Sequence, residues 1–393
     1  MDVRIAGTGM VPFRKPGASP AYDELARGAV ESALADAGVD YRDVQQAYAG
    51  FVYGDSTAGQ HALYSAGMTG IPVVNVNNNC STGSTALWLA RQAVAGGAAD
   101  CVLALGFEQM KPGAIGAVFG DRPSPFARFD AACATLAADA GDVPLALRYF
   151  GGAGREHMQR YGTKLATFAR IRAKASRHAE HNPNAIFRRV VSAEEVLADV
   201  PVWPGVMTRM MACPPTCGAA AAIVVSDAYA ARRGLRRDVR IRAQAMTTDT
   251  PSTFDSGSMM RLVGYDMARA AATQAYEAAG VAPGDVDVCE LHDCFAHNEL
   301  ISYEALGLCP EGGAEAFVEA GDNTYGGRVV TNPSGGLLSK GHPLGATGLA
   351  QCHELVAQLR GACGPRQVAG ARLALQHNLG LGGACVVTLY ERV

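Results

Sequence analysis

The sequence predicts an α/β fold built from two duplicated halves, with an inserted segment interrupting the first. Two observations carry this. Apolar runs typical of buried strands alternate with Ala-rich helical patterns along all 393 residues. Short blocks of the first half also recur in the second, in the same order.

Taken along the chain, "YDELARGAVESALADAG" (Tyr22 to Gly38) has a helical apolar period and stops at a glycine, the residue that most easily takes a left-handed helix end. "CVLALGFE" (Cys101 to Glu108), "AAIVVS" (Ala221 to Ser226) and "VRIRAQAM" (Val239 to Met246) predict buried strands. A second Gly-terminated helix follows in "MARAAATQAYEAAG" (Met267 to Gly280). "RLALQHN" (Arg372 to Asn378) and "ACVVTLY" (Ala384 to Tyr390) predict the last strands.

The repeat is visible residue by residue. In "ALADAGVDYRDVQQAYAG" and "AYEAAGVAPGDVDVCELH", Ala37 pairs with Ala279 and Asp43 with Asp285 at one constant offset. "CSTGSTAL" (Cys80 to Leu87) aligns with "HPLGATGL" (His342 to Leu349), matching Gly83 with Gly345, Thr85 with Thr347 and Leu87 with Leu349. Cys80 and His342 therefore occupy equivalent positions, each at the head of a helix. If the halves pack face to face about a pseudo-twofold, a thiol and an imidazole distant in sequence meet at the axis.

Between Lys111 and Cys213 the repeat breaks down into Pro-, Gly- and Arg-rich sequence, including the basic "RIRAKASRHAEHNPNAIFRR" (Arg170 to Arg189). This predicts an insertion over the active site. The expected division is residues 1–110 and 214–236 for the first half, 111–213 for the insertion and 237–393 for the second half. His157, His178 and His181 read as part of a solvated basic face.

A net charge of −3 gives no global attraction to nucleic acid or anionic membrane, and no apolar run approaches a membrane span. The start lacks a secretory leader and the ending "LYERV" is not a peroxisomal tripeptide, so a cytoplasmic protein is expected. Its 11 cysteines then read as free thiols.

Cys80, in "NVNNNCSTGSTAL", lies among asparagines and small residues rather than in an apolar run. At a helix head, unpaired N–H groups and the macrodipole favour a thiolate, and an imidazole can take its proton. His342 lies in "NPSGGLLSKGHPLGATG", which lacks the Walker spacing of a phosphate loop. "NLGLGGAC" (Asn378 to Cys385) does not open a helix and suits an oxyanion hole better than a dinucleotide site. "ELHDCFAHNEL" gathers His292, Asp293, Cys294 and His297, and "CPPTC" holds Cys213 and Cys217; neither has zinc-site spacing, so no metal is expected.

Together, "NNNCSTGSTA", "HDCF", "NPSGGLLSKGHPLGATG" and "QHNLGLGGA" resemble the thiolase superfamily, and more narrowly the sterol carrier protein-type thiolases, over nearly the whole chain. The resemblance implies βαβαβαββ halves in an α-β-α-β-α layering, a loop domain, and a homodimer or tetramer. It implies a 3-oxoacyl-CoA thiolase with coenzyme A as substrate and no bound cofactor. Cys80 would be the nucleophile, His342 its base, and His292 a donor to the thioester oxygen. The N–H groups of Cys80 and Gly380 would form a second oxyanion hole. Where most thiolases carry an acid/base cysteine near the C-terminus, this chain has Asn378; Cys294 of "HDCF" would replace it, with Cys385 the runner-up. Cys217 stands where relatives usually carry aspartate. Arginines and lysines of the insertion would hold the phosphates of CoA. The sterol-carrier domain fused to some relatives is not expected after Val393. The rival readings are a ketoacyl synthase-like condensing enzyme and a thiolase-like lipid-transfer or aldolase scaffold acting with a partner subunit.

Overall fold

The computed structural model describes residues 2–113, 116 and 118–393, so three positions of the expected insertion (114, 115 and 117) lie outside the described residues. Its strands are β1 (Val3–Met10), β2 (Gln46–Gly50), β3 (Val73–Val76), β4 (Cys101–Glu108), β5 (Pro201–Trp203), β6 (Met207–Thr208), β7 (Gly218–Ser226), β8 (Val239–Thr247), β9 (Val288–Glu290), β10 (Val330–Thr331), β11 (Leu373–Gly380) and β12 (Ala384–Arg392). Ten of them form one ladder in the order β10-β9-β11-β12-β8-β1-β7-β4-β2-β3. From its middle, β8-β12-β11-β9-β10 repeats β1-β7-β4-β2-β3 strand for strand. The duplication read from short blocks is thus a duplication of topology. The halves join where Arg4 pairs with Arg240.

The strands are apolar throughout because both faces are covered. In β4, Val102 and Ala104 enter a central core while Leu103 and Leu105 enter an outer one, the period-2 alternation of a strand. The central core holds the helices Thr82–Ala95 and Leu344–Arg360, through Leu87 and Leu349, together with Ala374 of β11 from the second half. Helix Tyr22–Ala37 covers the outer face of the first half through Leu25 and Val30. Helix Tyr265–Ala279 covers that of the second through Met267 and Ala271. The layers therefore run helix, sheet, helix, sheet, helix. Both outer helices end at left-handed glycines, Gly38 (φ 70°) and Gly280 (φ 64°). No helix of the described residues is long and apolar enough to cross a membrane.

Between β4 and β7 the chain forms the helices Ala127–Leu136, Leu145–Tyr161, Leu165–Ala179 and Ala193–Leu197 and the β5–β6 pair. It docks on the loop that precedes His342, with Ile186 N–H donating to Lys340 O at 3.2 Å and Phe187 N–H to Ser339 O at 3.0 Å.

Here the expected basic face is corrected. His181 is exposed, but His157 and His178 are buried. His157 bonds Thr163 Oγ1 (2.7 Å) and Glu304 (2.9 Å), and His178 bonds the Asn332 carbonyl (3.0 Å) and Thr324 Oγ1 (2.8 Å). Lys174 is likewise buried against Glu299, and Arg172 donates to Ser339 Oγ at 2.8 Å. The helical period of Leu165–Ala179 turns Arg172 and Lys174 inward, where the Ser339 hydroxyl receives the first and the Glu299 carboxylate and Thr331 the second. Arg170, Arg177, Arg188 and Arg189 remain exposed.

Candidate active site

Cys80 and His342 each stand two residues before a helix, Thr82–Ala95 and Leu344–Arg360. Glycines let these helix heads touch. A Cβ on Gly83 would lie 2.7 Å from Gly345 O, and one on Gly348 would lie 2.2 Å from Ser84 Oγ. The expected meeting occurs: Cys80 Sγ and one ring nitrogen each of His292 and His342 lie within 4.8 Å of one another. The two imidazoles are edge to face, centroids 5.1 Å apart and planes at 80°. Cys80 is half-buried, whereas His292 and His342 are 1% and 4% exposed.

Local bonds fix each group. Asn79, just before the thiol, has φ 50°, a left-handed conformation asparagine tolerates. Its Nδ2 donates to Leu381 O at 2.9 Å, tying the turn of Cys80 to the glycine turn. Gly380 fits against that turn because it has no side chain; a Cβ there would lie 2.2 Å from Asn78 O. The segment after β9 is tied to the loop before His342 twice. The Asp293 carboxylate accepts from the N–H groups of Leu337 (2.7 Å) and Leu338 (3.3 Å). Glu290 accepts from Ser334 N–H (3.0 Å) and hydroxyl (2.8 Å), with Lys340 Nζ at 3.3 Å.

The bonds of His342 also set its tautomer. Its Nδ1 is 2.7 Å from Thr347 Oγ1, whose hydroxyl donates to Pro343 O at 2.9 Å. Having spent its proton there, Thr347 must accept from Nδ1–H. Nε2 is left as a lone pair without a partner.

Burial pushes the Cys80 thiol up to about 12, with Glu108 adding to the effect despite a backbone bond that opposes it. Burial pushes His342 down to about 3, and holds His292 well below its ordinary value, helped by His342 and His377. Both shifts oppose a resting thiolate–imidazolium pair, because burial disfavours each charged form. The shifts favour a neutral thiol beside a neutral imidazole, suited to passing the S–H proton to Nε2 as sulfur attacks.

Glu108 was legible only as the end of a strand. Its buried carboxylate accepts from Val52 N–H (3.1 Å), Tyr53 N–H (2.9 Å) and Gly345 N–H (3.0 Å), and burial pushes it up to about 7. It thus caps the first turn of the His342 helix.

Cys294 is buried between β9 and helix Ala296–Ala305, within electrostatic reach of Cys80 and Cys213. Cys213 N–H donates to Cys294 O at 2.9 Å. Burial pushes both thiols up. "CPPTC" is therefore part of the site, which the sequence did not reveal: Thr216 Oγ1 accepts His342 N–H at 2.6 Å, and Pro215 bridges to His342. Cys217 is buried, its sulfur accepting Met110 N–H at 3.2 Å. Cys385 is a strand residue opposite Leu379 in β12, inside an apolar cluster. A sulfur and two imidazoles are also a set of metal donors; their spacing concealed this because they come from three separate segments.

Two family models match the chain, the thiolase N-terminal domain over residues 3–117 and the thiolase C-terminal domain-like family over residues 250–390. Sterol carrier protein 2 of Oryctolagus cuniculus is 54% identical, over 99% of this chain and 72% of the relative. The chain belongs to the thiolase family, and to its sterol carrier protein type. An acetyl-CoA acetyltransferase of Methanothermobacter thermautotrophicus is 33% identical over the full length of both chains. Among solved structures, the Ltp2–ChsH2(DUF35) aldolase superposes with a TM-score of 0.82 at 23% identity, over 98% of this chain and 97% of that one. Human mitochondrial 3-ketoacyl-CoA thiolase gives 0.73 at 18%, over 100% and 99%. At these identities the likeness is one of fold. The thiolase fold expected from the sequence is the fold found.

Proposed function

We propose that this thiolase is a 3-oxoacyl-CoA thiolase that works through an acyl group on Cys80. The observation that carries the reading is the approach of Cys80 Sγ and the two histidine nitrogens within 4.8 Å. His342 Nε2 takes the thiol proton while sulfur attacks the 3-oxo carbon. The C2–C3 bond breaks, the electron pair stays on C2 of the leaving acetyl or propionyl thioester, and Cys294 supplies the proton that quenches it. Incoming CoA passes its thiol proton to the Cys294 thiolate and its sulfur attacks the acyl carbon; the bond from that carbon to Cys80 breaks, the Cys80 sulfur takes its proton back from His342 Nε2, and the shortened acyl-CoA leaves. His292 steadies the thioester oxygen of the leaving unit, and the N–H groups of Cys80 and Gly380 steady the oxygen formed at the attacked carbon. The reverse direction is a Claisen condensation.

Coenzyme A enters as a substrate in this reading, its phosphates met by exposed arginines of the insertion such as Arg170, Arg177, Arg188 and Arg189. The enzyme is further proposed to be a cytoplasmic homodimer. The acetyltransferase relative supports CoA thioester chemistry, and retention of Cys80, Cys294 and His342 supports catalysis over a scaffold role. Incubation with acetyl-CoA followed by intact-mass measurement is the test. The chain should gain one acetyl group, and Cys80→Ala should gain none. An acetylated Cys80→Ala protein would overturn the assignment.

A further inference from the structure

We propose that Asn378 is a positioning residue that holds His292 as an Nε2–H donor and thereby withholds it from divalent metals. The orientation of the amides of Gln376 and Asn378 is fixed first by a backbone carbonyl, which can only accept. Gln376 Nε2 lies 2.6 Å from Gly348 O, so the amide of Gln376 presents its nitrogen on that side. The same nitrogen donates to Ser84 Oγ at 2.8 Å. Ser84, already receiving that proton, donates its own to Asn378 Oδ1 at 2.8 Å. This turns Asn378 Nδ2 towards His292 Nδ1, 3.1 Å away. An amide nitrogen can only donate, so Nδ1 accepts and the ring proton resides on Nε2. Tyr390 donates to Gln376 Oε1, closing the far end of the relay, and Gln376, Asn378 and Tyr390 are all fully buried, as is Ser84.

The consequence concerns the three donors gathered at the site. Cys80 Sγ and His342 Nε2 are both competent ligands once the thiol has released its proton to solvent. On His292 the nitrogen that Asn378 does not hold is Nε2, and while protonated it is not one. Moving that proton to Nδ1 would set two N–H groups against each other at Asn378 and break the relay. Asparagine at this position therefore keeps a donor aimed at the thioester oxygen and prevents a Cys-His-His metal trap from forming. The benefit to catalysis rests on the thiolase reading above; the tautomer and its effect on metals do not.

The test uses Co2+ alone, added to the reduced full-length chain. Asn378→Asp keeps the shape but accepts Nδ1–H, giving the carboxylate–histidine–metal arrangement. It should bind Co2+ through sulfur with a strong thiolate charge-transfer absorption and an affinity roughly 10–100-fold above that of the unaltered chain. Equal affinity in the two chains, from weak or tight binding alike, overturns the proposal. A second reading leaves Asn378 unaltered. With 15N-labelled histidine, the ring signals absent from His292→Gln should show Nε2 protonated and Nδ1 bare, and the opposite pattern refutes the claim. Neither readout uses an acyl-CoA, so failure of acylation with these spectra intact would sink the proposed function alone.

Discussion

Thr347 lies one helical turn beyond His342 and decides which nitrogen of that ring is bare, by accepting Nδ1–H at 2.7 Å. Thr347→Val should leave a buried N–H unpaired, costing about 1–3 kcal/mol in denaturant melts. Acylation by acetyl-CoA should slow as well, because the ring loses its preferred tautomer. Thr347→Ser should recover both; a valine variant that acylates at the full rate would show the hydroxyl to be incidental.

The raised thiol of Cys80 makes a statement about pH. A thiol pushed up to about 12 is protonated throughout the neutral range. Alkylation by iodoacetamide, followed by mass, should accelerate about tenfold per pH unit from 6 to 9, since the thiolate is the reacting form. A rate that is flat above pH 5 would instead mean a resting thiolate–imidazolium pair.

Cys294→Ala should still be acetylated on Cys80 but lose carbon–carbon cleavage, by about 10²–10⁴-fold if the thiol is the proton donor. Cys213→Ala, assayed alongside, should keep most turnover. If the effects are exchanged, the half-buried Cys213 is the acid and Cys294 its neighbour.

Glu108 ties stability to pH. Its carboxyl is raised from an ordinary 4.5 to about 7 in the folded chain, so the folded state holds this proton more tightly. Its contribution is fully present below pH 4.5 and is lost as pH rises through about 7, in total roughly 3 kcal/mol. Glu108→Gln, though starting lower by about 1 kcal/mol for one unmade bond, should lose less stability between pH 5 and 8 in urea melts. An unchanged pH dependence would place the ionisation elsewhere.

What the sequence made legible follows from where the information sits. Strands such as Cys101–Glu108 were readable because both faces are buried, which demands an unbroken apolar run. The meeting of Cys80 with His342 was readable because the halves repeat, so equivalence in sequence became proximity in space. His157 and His178 were misread because composition places them in a basic stretch, while their partners Glu304 and Asn332 lie more than a hundred residues away. Thr216, Cys213 and Glu108 escaped for the same reason: each bonds a residue of the second half distant in sequence, and no local spacing announces it. The helix head that favours a thiolate was visible in the sequence, and the burial that opposes one was not.

The twofold arrangement of strands about the Arg4–Arg240 junction has a consequence for ancestry. A half-length forebear assembling as a symmetric pair must present the same amino acid on each side of the axis, since the two sides are one gene product. Such a pair could offer two sulfurs or two imidazoles, never one of each. Within one chain the positions numbered 80 and 342 are independent, so one can carry the sulfur and the other the imidazole, a division of labour closed to an identical pair.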